Sequence, residues 1–209
     1  MRSKVTTAPT AEPVTLDQVK ASLRITHNAE DSLLEQYIED ARIYAENYTG
    51  RKIITQTVTA YYDDLNGRDA DIWEGTRVGA YSAIYGEKYA ELEFGPVASI
   101  TEVNTIDLDN AETVYSSSDY YLDNYDDDLK ARMMLNRGAT ITGALRAANN
   151  IKVEYVAGYG NASAVPSALR RAVIMLVGAM YANRGDCTDV QAQSCGASPL
   201  LDQYRYKDA

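Results

Sequence analysis

The stretch NIKVEYVAGYG, residues 150–160, followed by VPSALRRAVIMLVGAMYANRGD, residues 165–186, sets the terms of the fold. From Ile151 to Val156 the apolar Ile151, Val153 and Tyr155 alternate with Asn150, Lys152 and Glu154, the period of two of a strand with one buried face. Gly158 and Gly160 bracket Tyr159 where the chain must turn, and a polar link leads to Pro166. Proline suits a first helical position, because its missing donor would be unsatisfied there. Leu169, Ala172, Val173, Leu176, Val177, Met180 and Tyr181 then recur at steps of three and four, the stripe of a core-facing helix that Gly185 closes. Each large apolar side chain on that stripe stabilises by roughly 1.5–3 kcal/mol when buried, so the helix is expected in the core despite Gly178. By itself such a stripe is packing and carries no chemistry.

Working outward, residues 1–14 read as a flexible arm rich in Thr, Ala and Pro. Thr15 and Gln18 match a capping box, opening a short helix through Leu16, Val19 and Leu23 that ends near Arg24 or Ile25. Asn28 is placed to cap a second helix, with Glu30 and Asp31 complementing its positive end. Its stripe is Leu33, Leu34, Tyr37, Ile38, Ala41, Ala45 and Tyr48, and Gly50 ends it. Past Gly50 the segment IITQTVTAYY, residues 53–62, has the β-branched and aromatic texture of a strand. Residues 63–88 read as a long loop or irregular hairpin. Short strands are expected at 90–94, 100–106, 113–115, 120–122 and 132–135, separated by Gly95-Pro96, Asp109-Asn110 and the acidic run Asp126 to Asp128. The expected fold class is α+β: a helical bundle of two N-terminal helices and a long C-terminal helix, with an inserted antiparallel β subdomain. The domain reading is an arm (1–14), one domain (15–185, helices at 15–50 and 165–185, β-rich insert 53–157) and a tail (186–209).

Composition narrows the function. The chain has 209 residues, enough for one sizeable core or a compact body with a smaller subdomain. A net charge of −10 argues against a protein that grips nucleic acid by neutralising phosphates. Seventeen tyrosines against one Phe and one Trp are unusual, and tyrosine suits both half-buried sheet faces and subunit contacts. Cys187 and Cys195 read as reduced thiols in the absence of a secretory segment, although their spacing leaves a disulfide open. No run approaches the length of a membrane-spanning helix.

Catalytic patterns are missing from the sequence. His27 is the only histidine, in the link between two helices, with nothing nearby to make a nucleophile pair. One histidine and two cysteines at this spacing resemble no zinc site. Neither a P-loop nor a dinucleotide fingerprint occurs, and Gly158 with Gly160 is too weak to suggest phosphate binding. Asp126, Asp127 and Asp128 lack the alternating ligands and glycine of a calcium loop, and such a run is ordinarily a solvated turn. Neither an enzyme nor a bound cofactor or metal is expected. The competing readings are a β-rich carbohydrate- or receptor-binding module and a small hydrolase.

Three blocks together resemble the head-tail connector proteins of tailed bacteriophages and prophages, the adaptor family whose subunits form a ring beneath the portal. The first is PVTLDQVKASLRI (13–25) with Glu30 and Asp31 opening a long helix that closes in TGRKI (49–53). The second is FGPVASITEV (94–103) with SDYYLD (118–123). The third is VEYVAGYG (153–160) with the helix from VPSALRR onward. Residues 63–89 and the cysteine-bearing tail depart from the family pattern. The resemblance implies a structural virion protein at the head-tail junction, assembled in the host cytoplasm. It also implies a self-assembled ring of about twelve copies, closed by heterologous contacts. Its other partners would be the portal protein and a stopper or tail-completion protein, and DNA would pass through the channel without specific binding. Within that reading, Leu200, Leu201, Tyr204 and Tyr206 are expected to dock the tail on the portal, with folding back onto the helices as the equal alternative. Asp126, Asp127 and Asp128 are expected at the channel or ring rim.

Overall fold

The computed structural model describes residues 2–67, 88–125, 129–141, 143–183 and 195–206. The chain divides into two compact units, Met1–Ala8 with Thr57–Ala157, and Pro9–Gln56 with Gly158–Ala209.

The first unit is built of strands. Its five-stranded antiparallel sheet runs, in spatial order, β1 (Arg2–Thr7), β2 (Gln56–Tyr62), β9 (Ile151–Ala157), β5 (Val97–Ile106) and β6 (Glu112–Val114). A second, four-stranded sheet is ordered β3 (Asn66–Gly67), β4 (Lys88–Glu91), β8 (Arg132–Leu135) and β7 (Tyr120–Asp123). The alternation read in residues 151–156 is realised and extends to residue 157, Ile151, Val153, Tyr155 and Ala157 being buried and the residues between them half-buried. Opposite them on β5 lie Val103, paired with Val153, and Thr105, paired with Ile151. Val58, Ala60 and Tyr62 of β2, Met133 of β8 and Leu92 complete this core. Two tyrosines lie inside it with their polar ends satisfied: the Tyr155 hydroxyl accepts from the Phe94 amide, and the Tyr62 hydroxyl donates to the Glu91 carbonyl. Burial drives the Tyr62 phenol far above its ordinary value, so it stays a donor.

The second unit carries the four α-helices of the described residues: α1 (Leu16–Leu23), α2 (Asp31–Thr49), α3 (Ser167–Ala182) and α4 (Ser198–Asp202). The capping box at α1 is present in both directions, with Gln18 N–H on Thr15 Oγ1 at 3.2 Å and Thr15 N–H on Gln18 Oε1 at 3.1 Å. Asn28 does not cap α2; its side-chain oxygen accepts from Lys20 Nζ at 2.6 Å, and Glu30 stands at the cap position without a side-chain capping bond, its carboxylate accepting instead from the Tyr181 hydroxyl at 2.6 Å. Leu34, Ile38, Ala41 and Ala45 of α2 pack with Leu169, Ala172, Val173, Leu176 and Val177 of α3 in one core. Gly158 opens the loop into α3 with φ of +124°, and a Cβ there would lie 2.5 Å from the Ile54 carbonyl oxygen. Both the backbone angle and the close approach demand glycine.

The expected fold class is corrected by these elements. Helices do not form a bundle that hosts a β insert and is closed by a long C-terminal helix. The architecture is mixed, the strands make two antiparallel sheets, a strand precedes the helices, and the short α4 follows α3. The segment expected as a free arm supplies β1, which pairs antiparallel with β2 from Arg2↔Tyr61 to Thr7↔Thr57. RSKVTT has a single large apolar residue, so an edge strand held by ladder bonds left no buried-face periodicity to read. The other strand positions read from the sequence are found to within a few residues, while residues 68–87, the bulk of the expected long loop, lie outside the described residues.

Gly158→Ala is expected to destabilise by about 3 kcal/mol, from the positive φ and the overlap with rigid backbone together. Urea unfolding of the variant against the parent measures it, and a loss below about 1 kcal/mol would contradict the close approach.

Candidate functional site: the Thr-Gly-Arg turn and the tail it holds

The polar groups of the second unit converge where α2 ends. Glu46 lies one position beyond Ala45 on the buried stripe and is 3% exposed, so its carboxylate needs partners. It has four. Oε1 accepts from the Ile53 amide at 3.1 Å and from Gln56 Nε2 at 2.8 Å, and lies 3.7 Å from Arg42 Nη1. Oε2 accepts from Lys52 Nζ at 3.2 Å. Arg42, one helical turn earlier, is itself buried and reaches Glu12 Oε2 at 2.8 Å. Burial works against the Arg42 charge, but the hydrogen bond and charge of Glu12, with Glu46 and Glu39, outweigh it and hold the guanidinium above its ordinary value.

The turn that brings Lys52 and Ile53 back to Glu46 is TGRK, residues 49–52. Thr49 Oγ1 donates to the Ala45 carbonyl at 2.8 Å and accepts from the Arg51 amide at 3.3 Å. Gly50 is the left-handed C-cap, φ 71°, and its amide returns to the Glu46 carbonyl at 2.9 Å. Arg51 faces the tail. Its Nε donates to the Tyr204 carbonyl, and its guanidinium carbon lies 4.2 Å above the Tyr206 ring. The Tyr206 amide donates to the Thr49 carbonyl, and the edge of its ring is the nearest atom a Cβ on Gly50 would meet.

The tail residues proposed from the sequence therefore fall in two groups. Leu201 is 0% exposed in the core with Ala197, and Tyr206 is buried beneath Arg51. Leu200 and Tyr204 pack against that core but keep part of their surface. On the same segment the Tyr48 hydroxyl donates to Asp202 Oδ1 at 2.7 Å, which raises the phenol above its ordinary value. The acidic run Asp126, Asp127 and Asp128 lies outside the described residues, as does Cys187. Cys195 is half-buried against the helical core, and the His27 side chain is largely exposed, 4.0 Å from Glu30. Among the described residues, no group of three or more His, Cys, Asp or Glu side chains could hold a metal ion, and no helix is long and apolar enough to cross a membrane.

Glu12, Arg42 and Glu46 have no role among the sequence expectations, and Arg51 and Lys52 appear there only within the TGRKI block. A signal existed, since Arg42 and Glu46 stand at i and i+4 directly beside the small residues Ala41 and Ala45 of the stripe. Charges flanking a stripe usually belong to the solvated face, and the burial of these depends on TGRK folding back over them.

In this arrangement the polar groups lock the chain's own turns and the described part of its tail. The chain belongs to the phage gp6-like head-tail connector family, whose match spans residues 13–131. Membership makes it a structural component of a phage-type virion at the head-tail junction. Its fold is similar to that of chains in gene transfer agent (GTA) particles. One is from the neck of the empty particle computed with C6 symmetry, at TM-score 0.74 and 20% identity, covering 100% of this chain and 97% of that one. A second is from the virion of the native particle, at 0.70 and 19%, with the same coverage. A third is from the neck of the native particle computed with C12 symmetry, at 0.67 and 21%, again with the same coverage. No match was found among curated proteins.

Glu46→Ala is expected to destabilise by about 3–5 kcal/mol, because it leaves Arg42 and Lys52 without their shared carboxylate and the Ile53 amide without an acceptor. Denaturant titration reads this directly. Arg51→Ala is expected to leave the core folded while loosening the tail, seen as faster amide exchange at Tyr206 and earlier proteolytic cleavage within residues 195–206; unchanged exchange there would show that Arg51 does not hold it.

Proposed function

We propose that this chain is the adaptor of a head-tail junction: copies form a ring under the portal, extend the DNA channel and receive a stopper or tail-completion protein. The observation that carries the reading is the likeness of the whole chain, end to end, to a chain of a particle neck computed with six- and twelve-fold symmetry, joined to membership of the connector family. The charge distribution is in keeping with it. The strand-bearing unit carries 18 acidic against 10 basic residues and the helix-bearing unit 12 against 10, so most of the net charge belongs to the strand-bearing unit. An acidic surface along the channel would repel phosphate and let DNA move without adsorbing. The acidic run 126–128 is placed at the channel or rim on the same argument.

For the portal contact, the tail is proposed to act as a folded rim and not as a free peptide. Leu201 and Tyr206 hold the rim to its own unit, and Leu200 and Tyr204, with exposed Pro199, Gln203 and Arg205 beside them, offer the surface. Many such modest contacts repeated around a ring bind a symmetric partner strongly.

Mixing the purified protein with the portal of the same particle is expected to yield a stacked ring of matching symmetry, measured by native mass and negative-stain imaging. Absence of a ring at concentrations that saturate the portal would overturn the adaptor reading. Leu200→Asp with Tyr204→Asp is expected to abolish portal binding while far-UV circular dichroism stays unchanged.

A further inference from the structure

Among the described residues the five-stranded sheet has two open edges, and the side chains on one face of them carry opposite charge. At β1, Arg2 and Lys4 are exposed and, among the described residues, meet no carboxylate within ion-pair distance. At β6, Glu112, Thr113 and Val114 are all exposed. Around that edge stand Glu102, Asp107, Asp109 and Glu112 against two cations, Lys152, bonded to Glu112 at 2.8 Å, and Arg146, bonded to Asn110 at 3.2 Å. The two edges share a face. Arg2 and Lys4 pair with Tyr61 and Thr59, which alternate with the core residues Val58, Ala60 and Tyr62 of β2 as Lys152 alternates with the core residues Ile151 and Val153 of β9; Lys152 pairs with Asn104, and Asn104 pairs with Val114.

The β6 edge is also open to strand pairing. The Tyr115 amide donates to the Val103 carbonyl at 2.7 Å and the Asp107 amide to the Ala111 carbonyl at 3.1 Å. These bonds make Asn104↔Val114 and Ile106↔Glu112 the non-hydrogen-bonded pairs of the ladder, so the amides and carbonyls of Glu112 and Val114 point away from β5. Among the described residues no strand takes them up. Val114 at 64% exposure and Leu108 at 67%, on the same hairpin, add uncovered apolar surface beside them.

We propose that β6 of one copy receives β1 of the next copy, so that neighbouring subunits join head to tail through the two edges of this sheet. Charge selects the arrangement. Pairing β1 with β1 would set Arg2 and Lys4 against themselves, and pairing β6 with β6 would set the acidic hairpins together, so both symmetric contacts are disfavoured. The remaining contact is heterologous, the kind that closes by rotation into a ring. Edge charges that guard against promiscuous pairing thereby admit one partner edge. The inference rests on the ring reading given above, and supplies its subunit contact.

Two variants test it together, each assembled on wild-type portal. Arg2→Glu with Lys4→Glu makes both edges acidic, and Asp109→Lys with Glu112→Lys makes both basic; loss of the exposed Glu112 pair with Lys152 costs little stability. Each variant alone is expected to reduce ring yield by roughly tenfold or more, with circular dichroism unchanged. A 1:1 mixture is expected to restore the ring with the two variants alternating, visible as equal incorporation by native mass. If the wild type forms no ring on portal, the ring reading itself falls. If the wild type does and the folded variants also assemble fully alone, or fail to rescue one another, the edge contact is overturned while the ring reading stands.

Discussion

A buried carboxylate fixes the middle of this chain. Removing Glu46 from water costs several kcal/mol unless its oxygens are satisfied, and the groups that satisfy it come from Arg42 before it and from Lys52, Ile53 and Gln56 after it. The chain must therefore reverse at Gly50 and run back along the end of α2. That reversal governs the path of the next segment. With Ile53 held, its carbonyl accepts from Tyr159 and the Thr55 amide donates to Gly160, so the residues just before β2 and just after β9 are bonded side by side. β2 and β9 are neighbours in the five-stranded sheet. The ionic cluster at the helix end thus holds residues 53–55 beside residues 159–160.

The same turn closes the tail. Thr49 supplies a carbonyl to Tyr206, Gly50 leaves room beside the Tyr206 ring, and Arg51 clasps both Tyr204 and Tyr206. The four residues of Thr-Gly-Arg-Lys divide the work. Thr49 brings a hydroxyl that closes the helix, Gly50 a left-handed angle, Arg51 a planar cation for the tail and Lys52 an ammonium for the buried carboxylate. A lysine at position 51 would keep the charge and lose the flat stacking surface and the directed Nε donor.

What could be read in the sequence depends on where periodicity is strong. The strand at 151–157, the α3 stripe and the Thr15 capping box were legible because each has a local signal: alternation, a three-to-four step, or a fixed spacing of two polar residues. The fold class was not legible, for two reasons. β1 is an edge strand whose order comes from pairing with residues fifty or more positions away, and it carries only Val5 toward the core. Short strands from the middle of the chain give no local indication of whether they form one sheet or two; only the register, such as Tyr89↔Met134, separates them. The candidate site divided in the same way. The apolar tail residues were visible, but whether Leu201 and Tyr206 face a partner or their own core was decided by Arg51, whose role depends on a turn and not on its neighbours in sequence.

On the proposed ring reading, this division of labour has a mechanical sense. A subunit that must meet a neighbour on each side and a portal above it gains nothing from long free segments, since ordering each residue at assembly costs about 1–2 kcal/mol of backbone entropy. Here residues 195–206 of the tail are already held by Arg51 and Leu201, and β1 is already laddered to β2. For the described segments, assembly then has to order side chains at two sheet edges and one rim, and their backbone entropy is lost when the monomer folds. Specificity has to come from what those prebuilt edges carry. In a protein this acidic the scarce feature is a pair of cations on one edge, Arg2 and Lys4, that meet no carboxylate among the described residues. Their position opposite the acidic β6 hairpin gives the subunit a direction, which a symmetric distribution of the same charges could not supply.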